Sequence, residues 1–383
     1  MRQRYNKLTR RGPEPLAGKL AGVSFRFTSD ALDVAQYAQE HLRALLSEPV
    51  ARPDVDIRFR WHEGQPPADR MAAFPHLAGL ERVDRDLYVG PGELYWFRVD
   101  DLRDLLLHVS WSASRLTVEG DFYYRLANDR ARDRAKRWLY PKRVAALRRR
   151  RFTTLLYYLV YYPCWWWLEQ TQDFHPIHAA GVSLGSGVVL LGGASGVGKS
   201  TLAVALASVA GAKLLSDSFV VHNGSEVAAV REPILLDARS RHWLGDHGQD
   251  LQPIEWRYCL NRQGYHLPPE RLAAGGRCSL LLFPRRAAQS YLRRIAAPQA
   301  HQRLSAADLI INDLRRYWAF AAAIEQVAPG GLVTRREAHL ATLTAEVPCY
   351  ELGLREDMTC AASVELILQL LPGKPLRAVG AQA

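Results

Sequence analysis

Ile177–Val221 reads IHAAGVSLGSGVVLLGGASGVGKSTLAVALASVAGAKLLSDSFVV. The runs IHAAGVSL and VVLLGG flank Gly185, Ser186 and Gly187, which predicts a β-hairpin closed by a glycine turn. The second run leads into Gly193, Ala194, Ser195, Gly196, Val197, Gly198, Lys199, Ser200 and Thr201. STLAVALASVAG then predicts a helix closed by Gly211, and AKLLSDSFVV predicts the next strand. Strand, glycine-rich loop, helix and strand in that order predict an α/β fold.

The spacing Gly193-x-x-x-x-Gly198-Lys199-Ser200 is that of a phosphate-binding loop. Glycines let successive backbone N–H groups point inward at phosphate oxygens, and the following helix adds its positive end. Lys199 is placed to reach the β- and γ-phosphates, and the Ser200 hydroxyl to hold Mg²⁺. ATP and Mg²⁺ are therefore the expected cofactors. Asp217 ends the apolar run after the helix, where a carboxylate can hold Mg²⁺ or accept a proton from an attacking hydroxyl. His178, ahead of the loop, is a candidate to orient or tune Asp217.

Ile177–Val221 resembles the catalytic core of HPr kinase/phosphorylase and its relatives. That family has a histidine leading into a hairpin, a phosphate loop, a helix, and a strand ending in an acidic pair. VPCYELGL and the closing helix resemble the family's ending more weakly. The resemblance implies an HPr-kinase-like (PEP carboxykinase-like) nucleotide-binding domain. It implies Lys199 and Ser200 as nucleotide and Mg²⁺ residues, Asp217 as general base, and His178 as the histidine near it. It also implies a homo-oligomer, since the family tends to form rings. Ser218 stands where the family has its second aspartate. Glu232 or Asp237 is a candidate second metal ligand, and Arg239 or Arg241 a candidate for transition-state charge. The expected activity is transfer of the γ-phosphoryl group to a hydroxyl of a protein, peptide or small molecule. The alternative is a nucleotide-gated regulatory ATPase or binding module with no acceptor.

The remaining chain fits this frame. The protein has 383 residues, 48% hydrophobic and 23% charged, enough for two domains. Expected units are an α/β or α+β recognition or scaffold domain over 20–127, a basic linker or helix over 128–151, and the phosphate-loop domain over 152–383. In the first, GVSFRF, DVDIRFRW, ELYWFRV, LLLHVSW and RLTVEGDFYY read as strands, and DALDVAQYAQEHLRALL as a helix capped by Asp30. In the last, SAADLIINDLRRYWAFAAAIEQV reads as one helix capped by Ser305.

The net charge of +11 is concentrated in Arg130–Arg151, with eleven Lys or Arg against the single acid Asp133. A solvated helix is the plain reading. An acidic partner or an anionic membrane surface is the functional one, and no binding motif set supports nucleic acid. FTTLLYYLVYYPCWWWLEQ (Phe152–Gln170) is shorter than a membrane span and apolar all round. It reads as a buried helix against the second domain's sheet, with an interfacial membrane helix as the alternative. The five scattered cysteines and an N-terminus without an apolar run argue for a reducing, cytoplasmic setting.

Overall fold

The computed structural model describes residues 13–67, 73–99, 102–124, 138–185, 187–255 and 261–369. It is a mixed α/β protein with two large mixed sheets. Ser186, Cys259 and the basic stretch 130–137 lie outside the described residues.

The first sheet contains β1 (Leu16–Leu20), β2 (Val23–Ser29), β3 (Val55–Glu63), β4 (Glu81–Asp84), β5 (Leu87–Gly90), β6 (Glu93–Val99), β7 (Leu102–Ser112) and β8 (Arg115–Tyr124). Its order is β1-β2-β3-β8-β7-β6-β5-β4, with β2, β3 and β8 parallel. Helix α1 (Leu32–His41) makes the crossover from β2 to β3. The N-cap of α1 is Ala31, not Asp30 as expected. The Asp30 carboxylate instead accepts the Trp61 backbone N–H at 3.0 Å, fixing the loop to the third strand.

A continuous helical path runs from Pro141 to Thr171. It comprises α2 (Pro141–Leu156), a π-helical turn (Tyr157–Tyr161) and α3 (Tyr162–Thr171). Residue 152 thus falls inside this path. Tyr158, Leu159, Tyr161, Tyr162 and Trp165 are fully buried, in one core with Phe25, Ile57 and Val118 of the first sheet. That core also takes in Leu314, Tyr317 and Phe320 from the C-terminal part. The aromatic run therefore packs between the two units rather than against the second sheet alone. Gly120 of β8 permits this, because a Cβ there would lie 2.7 Å from the Leu159 side chain. Burial of Trp165, Trp166 and Trp167 leaves them no face for a membrane. Among the described residues, no helix is long and apolar enough to cross one. Of the described arginines in the basic segment, Arg148 pairs with Asp33 at 2.7 Å and stacks over Trp61, a structural use of its charge.

The second sheet contains β9 (His175–Ile177), β10 (Ala180–Ser183), β11 (Val188–Leu191), β12 (Lys213–Ser216), β13 (Val220–His222) and β14 (Glu226–Ala229). It is completed by the 12-residue β18 (Gly275–Arg286), β19 (Tyr291–Arg294) and β20 (Cys349–Leu354). β15 (Ile234–Leu236), β16 (Gln252–Pro253) and β17 (Gln263–His266) form a small sheet of their own. Helix α4 (Lys199–Ala207) follows β11, and α5 (Ala238–Leu244) follows β15. α6 (Ala297–Ile310), α7 (Asn312–Glu325), α8 (Leu332–Glu346) and α9 (Cys360–Leu368) cover the C-terminal half. The expected single helix from Ser305 is two helices, broken at Ile311, and Ser305 is interior to the first.

The order β12-β10-β11-β18-β14-β13-β9 also splits two expected strands. β9 and β10 are separated at His178–Ala179, and β12 and β13 at Asp217–Phe219. β10 pairs with β12, and β9 with β13, so the two interruptions lie side by side.

Candidate functional site

The interruptions create the site. A broken ladder leaves backbone donors that side chains must satisfy. The Ser216 hydroxyl accepts the N–H groups of Ser218 and Phe219 at 3.4 and 3.3 Å. The His178 N–H donates to the Asp308 carboxylate at 2.8 Å. β10 runs antiparallel to both β11 and β12, so its beginning and their ends share one sheet edge. His178, the loop after β11 and Asp217 meet there.

The loop has the backbone that its glycines allow. Gly193, Gly196 and Gly198 have φ of 111°, 83° and 97°. A Cβ on Gly198 would meet no atom within 4 Å, so glycine is required there by conformation and not by space. Gly198→Ala is expected to cost about 1–3 kcal/mol of stability, read as a lower Tm without loss of fold. α4 begins at Lys199 with no acidic residue in its first turn, leaving its positive end available to an anion.

Three groups of this segment interlock. The buried Lys199 ammonium donates to the carbonyls of Gly193 at 2.7 Å and Ala194 at 2.9 Å. Burial pushes its pKa down to about 8, opposed by Asp217 and Asp308. The Ser200 hydroxyl donates to the Asp217 backbone carbonyl at 3.1 Å. Asp217 is 4% exposed, and burial raises its carboxyl to about 6 against the opposing effects of Ser200, Ser218 and Lys199. His178 faces the same cavity; among the described residues no hydrogen bond joins it to Asp217 and its ring nitrogens make no side-chain hydrogen bond, with the Ser218 backbone acting on the ring. Burial first, then Lys199, pushes its imidazole down to about 3, so it is neutral.

These residues line an open cavity of about 440 Å³. Ser195–Thr201, His178, Asp217 and Ser218 line it together with Arg239, Arg262, Arg286 and Arg355, and Glu356 in the same lining pairs with Arg239 and Arg286. Asp237 and Arg239 line it, while Asp237 caps α5 through the Ser240 N–H and Arg239 pairs with Glu356. Arg241 is absent from the lining and donates to the Gly245 carbonyl. Glu232 faces a separate small cavity behind Asp217, and burial raises its carboxyl strongly. It is poorly placed as a ligand in the main cavity.

Asp308 joins the site from outside the phosphate-loop segment. Burial raises its carboxyl to about 7, and its charge acts on Lys199 from α6. A signal existed: Ala300, Leu304, Ala307 and Asp308 form the buried stripe of α6, and an acid within such a stripe needs a partner.

A glycine loop with left-handed turns, a buried cation, a helix start and arginines around the cavity fit a polyphosphate. Ser200 and Asp217 present oxygen donors of the kind a hard divalent cation takes. No protein-family model matches the chain, and no curated protein matches it significantly.

Proposed function

We propose that this chain is an ATP-dependent kinase of the HPr-kinase-like (PEP carboxykinase-like) type, transferring the γ-phosphoryl group to a hydroxyl acceptor. The observation that carries this reading is the position of Asp217. It is buried at the end of β12, beside Lys199 and Ser200, and opens into a cavity with room for an acceptor. Among the described residues no arginine or lysine hydrogen-bonds to Asp217, although the Lys199 charge acts on it.

ATP with Mg²⁺ supplies the transferable phosphoryl group. The backbone N–H groups of Gly193–Thr201 bind the phosphates. Lys199 exchanges its two carbonyl acceptors for phosphate oxygens and neutralises charge there. Ser200 and Asp217 hold the metal. The Asp217 carboxylate takes the proton from the acceptor hydroxyl, and the neutral His178 ring faces the acceptor from the same cavity. Lys199→Ala should weaken ATP binding roughly 10–100-fold, measured by titration calorimetry. An unchanged affinity would remove the loop from nucleotide binding.

The test is γ-labelled ATP and Mg²⁺ with fractionated cell extract. Label on an acceptor supports the kinase. The second reading is a nucleotide-gated binding module, and one connection favours it. Arg231, beside Glu232, donates to the Ala44 carbonyl of the first unit at 3.2 Å, while its own carbonyl accepts from Tyr161. This links the segment behind Asp217 to the first sheet. If that reading holds, no label transfers, and partner affinity differs between ADP and a non-hydrolysable ATP analogue. The acceptor or partner, a cytoplasmic setting and a ring-shaped homo-oligomer belong to the same proposal.

A further inference from the structure

Away from the cavity, three elements bring a second set of donors together. Asp173 follows α3, His175 opens β9, and His339 lies on α8. Their donor atoms all lie within 4.8 Å of one another. His339 Nε2 is 2.6 Å from one Asp173 oxygen, and His175 Nε2 is 3.2 Å from the other. Asp173 has φ of 58°, a left-handed backbone that sets its carboxylate between the two imidazoles.

The histidine behind this set is held as a ligand would be. His175 Nδ1 donates to Glu169 at 3.0 Å, which leaves Nε2 facing the cluster. Glu169 is completely buried and is itself fixed by Arg336 at 2.5 and 2.7 Å and by the Tyr317 hydroxyl. A carboxylate on the rear nitrogen of a ligating histidine fixes its tautomer and orientation. His222 is the cross-strand neighbour of His175, and its Nδ1 accepts the Gly224 N–H. Asp173 is half-exposed and His339 partly so, giving an ion a way in.

We propose that Asp173, His175 and His339 bind one zinc ion, at a site separate from the phosphate loop. Two imidazoles and one carboxylate make the donor set that zinc takes with a fourth position open to water. The ion would fasten α8 to β9 and to the end of α3, behind the elements that carry His178 and Asp308.

The experiment is titration of metal-stripped, full-length protein with ZnCl₂, in the absence of nucleotide and magnesium. Wild type is expected to bind one equivalent. His339→Gln and Asp173→Asn should each lose at least about tenfold in affinity. Asn tolerates the left-handed backbone, so the second variant changes the donor and not the turn. Lys199→Ala should bind zinc as wild type does, which separates this site from the nucleotide reading. Cobalt gives a second readout: wild type should show the visible absorption of a four-coordinate site, lost in His339→Gln. Binding below one equivalent, or equal affinity in wild type and both variants, would overturn the site and leave Asp173 as a hydrogen-bond acceptor for two histidines.

Discussion

Asp217→Asn is expected to keep metal-free ATP binding and lose phosphoryl transfer by about 10²–10⁴-fold, the usual contribution of a general base. Asparagine preserves the size of the side chain, and Ser200 keeps its bond because it uses the Asp217 backbone carbonyl. The loop and Lys199, which carry nucleotide affinity, are unaltered. Comparing affinity with and without Mg²⁺ separates the two roles of the carboxylate. Loss of the metal ligand lowers affinity only when Mg²⁺ is present; if Asp217 serves the metal alone, transfer then recovers at high Mg²⁺, and if it is also the base, transfer stays low. A variant that transfers label at the wild-type rate would sink the base assignment.

The same substitution carries a stability signature. Burial raises the Asp217 carboxyl from 3.8 to about 6, so the folded state binds more protons than the unfolded one between those values. Wild-type stability from this group is therefore greatest at low pH and declines as pH rises through that window. Asparagine has no charge to bury. Without nucleotide or Mg²⁺, Asp217→Asn should be more stable than wild type at pH 7 by about 1–3 kcal/mol. The difference should shrink to little near pH 4. Thermal unfolding at both pH values reads it, and an advantage that grows on acidification would contradict the buried-charge account.

The site was legible where chemistry follows local spacing. Gly193–Ser200 specified its own backbone, and Asp217 marked the end of a short apolar run. Strand breaks were less legible, because IHAAGVSL and AKLLSDSFVV each continue as apolar sequence while the chain changes partner within them. Periodicity reports which face is buried and not which neighbour supplies the ladder. The aromatic run reads as buried from its composition, but its position between the two units depends on Gly120 and on long-range packing. Ala31 displaced Asp30 as a cap because the carboxylate had a tertiary use at Trp61. Asp308 lies about 130 residues from its partner His178, a pairing no local rule reaches.

Arg336→Ala is expected to destabilise the protein by about 3–5 kcal/mol, the cost of stranding a buried charge. Glu169 has no exposure, and Arg336 holds both of its oxygens from α8. The guanidinium also lies 5.0 Å from the Tyr317 ring centroid, so alanine removes packing as well as charge. Arginine and histidine neighbours hold the Glu169 carboxyl below its usual value despite burial. That contribution is present above about pH 4.5 and is lost as pH falls, the opposite trend to Asp217. Removing the charge partner together with the charge should cost less. Glu169→Gln with Arg336→Met keeps an acceptor for Tyr317 and fills the guanidinium's space with an apolar chain. The double variant should therefore be more stable than Arg336→Met alone, a coupling that denaturant unfolding of wild type, the two single variants and the double variant measures. Additive losses would mean that Arg336 stabilises α8 by packing alone and that the Glu169 charge is satisfied without it.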